Sequence, residues 1–249
     1  MLAAARAPWL MLLLVYYVIQ LVMSVIPLVG PVAMMVLRPV FTVGFLAAAW
    51  TQERGGRPEI RHLFRGFRAN LWALIPIGGV LTIGTTLAVM ATALVDGGIL
   101  LEAITSNAKP DESLAANGRV EGAMLFAIGC ALPVLLSIWF APALVVFQGC
   151  GARQALATSL RASLANWRAI VVYGLLLFFF GGVVPGIAIG LITLLFPPSV
   201  VPYVIALIVV PYIFLFVVAQ AISDYVAYRD IFHAGEEGVP AASDSDRRK

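Results

Sequence analysis

The run AIVVYGLLLFFFGGVVPGIAIGLITLLF, residues 169–196, holds no charged side chain in 28 positions. A helix needs about 20 mainly apolar residues to cross the hydrocarbon core of a bilayer. Inside that core no water is at hand, so every backbone N–H and C=O must find a partner within its own segment. For an open chain that means an α-helix. The stretch therefore predicts a transmembrane helix, and the rest of the chain repeats the pattern. Residues 8–29, 32–50, 71–95, 122–147 and 201–222 are comparable runs, which makes six predicted spans. Gly30-Pro31 and the segment 197–200 are the expected tight turns between the first two and the last two spans.

The composition of the whole chain points the same way. Of 249 residues, 61% are hydrophobic and 12% are charged, whereas a soluble domain carries about 45–50% apolar and about 25% charged residues. Too little charge is present to cover a water-facing surface, which excludes a soluble domain, a disordered chain and a disulfide-stapled scaffold. A β-barrel is excluded by continuous apolar runs, since barrel strands alternate over about ten residues. The predicted fold is all-α: a polytopic bundle of six spans over residues 1–232, followed by a disordered tail, 233–249. Arg6 ahead of the first span imitates a signal peptide. The apolar run continues past Leu21 without a small-residue cleavage site, so the helix is expected to be retained.

Sorting the few charges predicts orientation. Arg6, five arginines in 51–70 (Arg54, Arg57, Arg61, Arg65, Arg68), three in 148–168 (Arg153, Arg161, Arg168) and Arg229, Arg247, Arg248 and Lys249 fall on one side. The other side, 96–121, has Lys109 and Arg119 beside Asp96, Glu102, Asp111, Glu112 and Glu121. Thirteen basic residues against two put both termini in the cytoplasm of a bacterial inner membrane by the positive-inside rule.

The two basic links are related. Shifted by 96 positions, 52–78 matches 148–174 at Gln52/Gln148, Gly55/Gly151, Arg57/Arg153, Arg65/Arg161, Ala69/Ala165, Asn70/Asn166, Ala73/Ala169 and Gly78/Gly174. Both copies follow an inward-running span and lead into an outward-running one, the arrangement of a parallel repeat. Each copy predicts a short amphipathic elbow helix at the inner interface. In the first, Ile60, Leu63, Phe64 and Phe67 recur at helical spacing with Arg61, Arg65 and Arg68 on the flank. In the second, Leu156, Leu160, Leu164 and Trp167 form the stripe, with Arg153 and Arg161 off it. A basic face beside an apolar one makes Arg57, Arg61, Arg65, Arg68, Arg153, Arg161 and Arg168 candidates for anionic lipid headgroups. Packing of the stripe on neighbouring spans, with arginines fixing topology alone, is the plainer alternative. Asn70 and Asn166 are expected to be N-caps.

Within the spans, Arg38 is the one clear charge and the intramembrane polar candidate; snorkelling, capping carbonyls freed by Pro39 and meeting an anionic solute are its open roles. Pro133, Pro185-Gly186 and Pro211 are expected to interrupt the fourth, fifth and sixth spans, as in proteins that bind solutes at unwound backbone. Gly182, Gly186 and Gly190, four apart, are the helix-packing candidates. No nucleophile elbow, HExxH, phosphate loop or dinucleotide fingerprint is present. Two cysteines and two histidines in separate segments offer no metal site, and no cofactor is expected.

The stretch Trp139-Phe140-Ala141-Pro142-Ala143-Leu144-Val145, the basic link after it, Asn166-Trp167, Tyr173-Gly174, Tyr228-Arg229-Asp230-Ile231-Phe232 and the early Ile26-Pro27…Gly30-Pro31 resemble an uncharacterised family of proteobacterial inner-membrane proteins with no assigned activity. The plan is also loosely similar to the membrane domains attached to some glycerophosphodiester phosphodiesterases, without their catalytic domain. The resemblance implies six helices in the inner membrane and transfers no binding or catalytic residue. The expected function is non-enzymatic, through contacts with lipid, a protein partner or a second copy, with no nucleic acid. A transporter or channel for a small or amphipathic solute is the alternative.

Overall fold

The structure, a computed structural model, describes residues 6–106 and 118–233, and every regular element among them is helical. The expected tail and the middle of the acidic loop lie outside the described residues. Six helical segments are long and apolar enough to cross a membrane: Ala7–Ser24, Val29–Glu53, Leu71–Asp96, Arg119–Gln148, Trp167–Leu195 and Val201–Phe232. They are referred to below as spans 1 to 6. In chain order the elements are α1 (Arg6–Ser24), α2 (Val29–Glu53), α3 (Ile60–Leu63), α4 (Arg65–Arg68), α5 (Leu71–Ala91), α6 (Ala93–Asp96), α7 (Ile99–Ser106), α8 (Arg119–Trp139), α9 (Ala141–Gln148), α10 (Ala152–Ala165), α11 (Trp167–Phe178), a π-helical turn (Phe179–Val183), α12 (Val184–Leu195) and α13 (Val201–Phe232).

The chain divides into two compact units. One comprises Leu14–Gly44 and Ile60–Trp167. Its core gathers Val40, Phe41 and Val43 of span 2, Leu63 of the first elbow, Leu74 and Ile77 of span 3, and the run from Phe140 to Val145 in span 4. The stretch carrying the family resemblance is thus core. The other unit comprises Met1–Leu13, Phe45–Glu59 and Arg168–Lys249. Trp9 there donates its indole N–H to the Gln52 side chain at 2.6 Å, and Tyr173 of span 5 donates to Asp224 of span 6 at 3.1 Å.

Several local expectations are corrected. The first turn lies ahead of Gly30-Pro31, which already belong to α2. Leu28 takes the left-handed backbone (φ 61°), and Gly30 sits so close to the Met23 carbonyl that any side chain would collide with it. Pro31 occupies the first helical turn, where its missing N–H costs nothing. Pro133 and Pro211 do not interrupt their spans, because α8 and α13 run through both. Span 4 instead breaks at Phe140, two residues ahead of Pro142, which sits in the first turn of α9. In span 5 the departure is the π turn ahead of Pro185, and the Phe180 carbonyl there accepts the Tyr212 hydroxyl at 2.6 Å. Gly181 in the same turn has the Phe216 ring 2.8 Å from where a Cβ would stand.

Asn70 is an N-cap, accepting from the Ala73 N–H at 3.3 Å. Asn166 is not. It closes the preceding helix, its amide donating to the Ala162 carbonyl at 2.9 Å, because α10 continues to Ala165 where the first elbow is two short turns. Asp96, at the end of α6, is buried and caps α7, accepting from the Gly98 and Leu100 N–H groups at 2.8 and 2.7 Å.

Candidate functional site

Both elbows dock through one side, which takes only Leu63 from the predicted stripes, with Leu156 and Leu160 half-buried. On the first, Leu63 and Gly66 are buried, while Ile60, Phe64 and Phe67 stay exposed. The dock is backbone on backbone: a side chain on Gly44 would come within 2.6 Å of Leu63 Cα and O, and one on Gly66 would strike the Val40 carbonyl. Phe67 leans its edge on Phe41, which does the same to Tyr16, with centroids 5.5 and 5.3 Å apart. On the second elbow the buried side is Ala155, Ser159 and Ser163, while Leu164 and Trp167 are 56% and 57% exposed.

Ser159 lies at the break in span 4. Its hydroxyl accepts the Phe140 N–H at 3.0 Å and donates to the Leu136 carbonyl at 2.9 Å, the two groups an unbroken helix would join directly. Ser163 reaches the same carbonyl at 3.2 Å. The offset of 96 residues recurs in these contacts: Val40, Gly44 and Leu63 in the first copy stand where Leu136, Phe140 and Ser159 stand in the second.

Projected at about 100° per residue, each elbow shows three faces in the same rotational order. From the docked face of the first (Leu63, Gly66), a step of about 90° reaches Ile60, Phe64 and Phe67, and another reaches Arg61, Arg65 and Arg68. In the second the order runs from Ala155, Ser159 and Ser163 to Leu156, Leu160 and Leu164, and then to Arg161, while Arg153 at the start of the helix projects within the leucine stripe. All these arginines are exposed, as are Arg57 and Arg168 in the flanking connections. Trp72, just past the first elbow, is 88% exposed. An exposed indole beside arginines suits the membrane–water boundary, where its ring is apolar and its N–H wet.

The remaining candidates lie apart from the elbows. Arg38 is exposed on α2 and is an electrostatic neighbour of Tyr16. Its carbonyl accepts the Thr42 hydroxyl at 2.9 Å. Gly186 and Gly190 have no heavy atom within 4 Å of a Cβ position, and Gly182 only the Phe178 ring at 3.9 Å, so none faces another helix among the described residues. Glycines in close contact are Gly44, Gly66 and Gly78, the last jammed against the Val36 carbonyl.

One polar cluster escaped sequence reasoning. Glu53, at the end of α2, accepts from the Tyr225 hydroxyl at 2.5 Å and pairs with Arg229 of α13, which also holds Asp230 at 3.1 Å. Arg54 lies over the Trp50 ring, 4.2 Å from its centroid. Sorting the basic residues alone passed over this acid among arginines, and its partners are over 170 positions away in sequence. Among the described residues no three His, Cys, Asp or Glu side chains converge as metal ligands.

Over 234 residues, 90% of this chain, the sequence is 29% identical to a probable inner membrane protein of Burkholderia thailandensis, and the match covers 84% of that protein. No family model matches the chain, and no solved structure matches it significantly. With the six apolar helices, the similarity supports a multi-pass protein of the inner membrane.

Proposed function

We propose that this is a non-enzymatic inner-membrane protein that works by engaging anionic lipid headgroups at two cytoplasmic elbows, with both termini in the cytoplasm. The observation that carries the reading is the repeated order of faces. Stripes meant for the protein interior would be docked throughout, whereas here docking uses Leu63, a glycine and small residues, and Ile60, Phe64, Phe67, Leu164 and Trp167 are left exposed beside arginines. An interfacial helix needs that order: one face to the span, one to the hydrocarbon and one to the headgroups. Each arginine near an anionic surface contributes about 1 kcal/mol. Orientation rests on the thirteen-to-two distribution of basic residues.

Of the three breaks that motivated the transporter alternative, the one in span 6 is absent, and the one in span 4 lies at Phe140, where Ser159 bridges it. The third, in span 5, has its freed carbonyl occupied by Tyr212.

The test is native mass spectrometry of the detergent-solubilised protein with added phosphatidylglycerol or phosphatidylcholine. Phosphatidylglycerol should be retained preferentially. The double variants Arg61→Gln/Arg65→Gln and Arg153→Gln/Arg161→Gln should each weaken that retention at least about tenfold, with phosphatidylcholine unaffected. Equal retention of the two lipids, or arginine changes without effect, sinks the reading.

A further inference from the structure

The elbows are joined to their spans in different ways at corresponding positions. In the first copy span 2 is a continuous helix, and glycines let its backbone meet that of the elbow without an intervening side chain. In the second copy the span is open at Phe140, and its missing link is a hydroxyl belonging to the elbow. Ser159 is fully buried and Phe140 is 2% exposed, so water does not replace that hydroxyl if it leaves. The Leu136 carbonyl keeps the Ser163 hydroxyl, but the Phe140 N–H must then reach back to that carbonyl, which straightens the span, or lose its partner at a cost. Span 4 therefore has two ways to satisfy one pair of backbone groups, and the position of α10 selects between them. Ser163, one turn along α10, already points at the same carbonyl, so an axial slip of the elbow has a second hydroxyl to land on.

We propose that the second elbow is a lipid-responsive lever: an anionic membrane surface acting on Arg153 and Arg161 holds Ser159 in the break and fixes the bend of span 4, while the first elbow is a fixed anchor. Arg161 is two residues from Ser159 on one 14-residue helix, so force on the basic face reaches the hydroxyl through rigid backbone. The inference rests on the lipid reading above.

The experiment is hydrogen–deuterium exchange of the full chain in nanodiscs of phosphatidylcholine alone and of phosphatidylcholine with phosphatidylglycerol, following the amides of residues 138–145. Exchange should be about tenfold slower with phosphatidylglycerol, the size of one net hydrogen bond. Ser159→Ala should abolish the difference between the two membranes, and Ser159→Thr, which keeps the hydroxyl, should preserve it. Arg153→Gln/Arg161→Gln should abolish it as well, and Arg61→Gln/Arg65→Gln should leave it intact. Lipid-independent exchange in the wild-type chain overturns the lever, as does a lipid response that survives Ser159→Ala or is lost in the first-elbow variant. If the lever fails while phosphatidylglycerol retention still depends on the arginines, the lipid reading stands; if that retention fails too, both fall.

Discussion

Replacing Ser159 by alanine removes the oxygen that joins the Phe140 N–H to the Leu136 carbonyl at a buried site. An orphaned buried group costs about 1–3 kcal/mol, more than the net value of the bond itself. Glu53 presents the opposite case. Its pair with Arg229 and its bond from Tyr225 look stronger on paper, but the two ionic side chains are 30% and 35% exposed, so water screens them. Glu53→Gln should cost no more than about 1 kcal/mol, and the amide oxygen still accepts from Tyr225. Thermal unfolding in detergent should therefore rank Ser159→Ala below Glu53→Gln, with both below the parent. The reverse order would mean that the hydroxyl bridge is dispensable. No residue-level signal marked Ser159: it and Ser163 are small polar residues beside a leucine stripe, and its partners are two backbone groups that sequence does not display.

At the scale of elements, spacing identified one set of glycines and the packing uses another. Gly182, Gly186 and Gly190 drew attention because they share a face of one helix, but a pattern within a helix says nothing about what stands opposite. Gly44, Gly66 and Gly78 sit on three elements and form no pattern, yet each touches foreign backbone. Gly66→Ala should cost about 1–3 kcal/mol through overpacking against Val40. Gly186→Ala should be neutral or stabilise by up to about 1 kcal/mol, since alanine is the better helix former and open space receives the methyl. Unfolding curves together with light scattering on the purified protein check both. A destabilised or dissociating Gly186→Ala protein would mean that this face packs against a second copy. The elbows followed the same logic. Their helical periodicity and basic flanks were legible, but the docked side was not, because small residues and a glycine are invisible to a search for apolar stripes.

For the whole molecule, the number and place of the six spans were legible, since length and the absence of charge decide membrane crossing with little help from tertiary context. Span ends and breaks were not, because a proline reports a missing donor and not whether a neighbour supplies a substitute. That is why α8 runs through Pro133 and stops at Phe140. Orientation is tested by an impermeant maleimide on single cysteines in a Cys130→Ser/Cys150→Ser background. Glu102→Cys should react in intact cells from which the outer membrane has been removed, and Arg57→Cys and His233→Cys only after lysis. The opposite pattern would invert the topology and move the elbows out of the cytoplasm.

The pairing of Glu53 with Arg229 also has a consequence in time. The two residues are 176 positions apart, and a ribosome adding about 5–20 residues per second needs roughly 9–35 s to travel between them. The unit of Leu14–Gly44 and Ile60–Trp167 is fully synthesised before the last two spans exist. The unit holding Glu53 has its early pieces, Met1–Leu13 and Phe45–Glu59, in place long before Arg168–Lys249 arrives to complete it. During biogenesis the Glu53 carboxylate thus waits at the end of its helix through the insertion of four further spans, and the last helix to be made is the one that brings its partners.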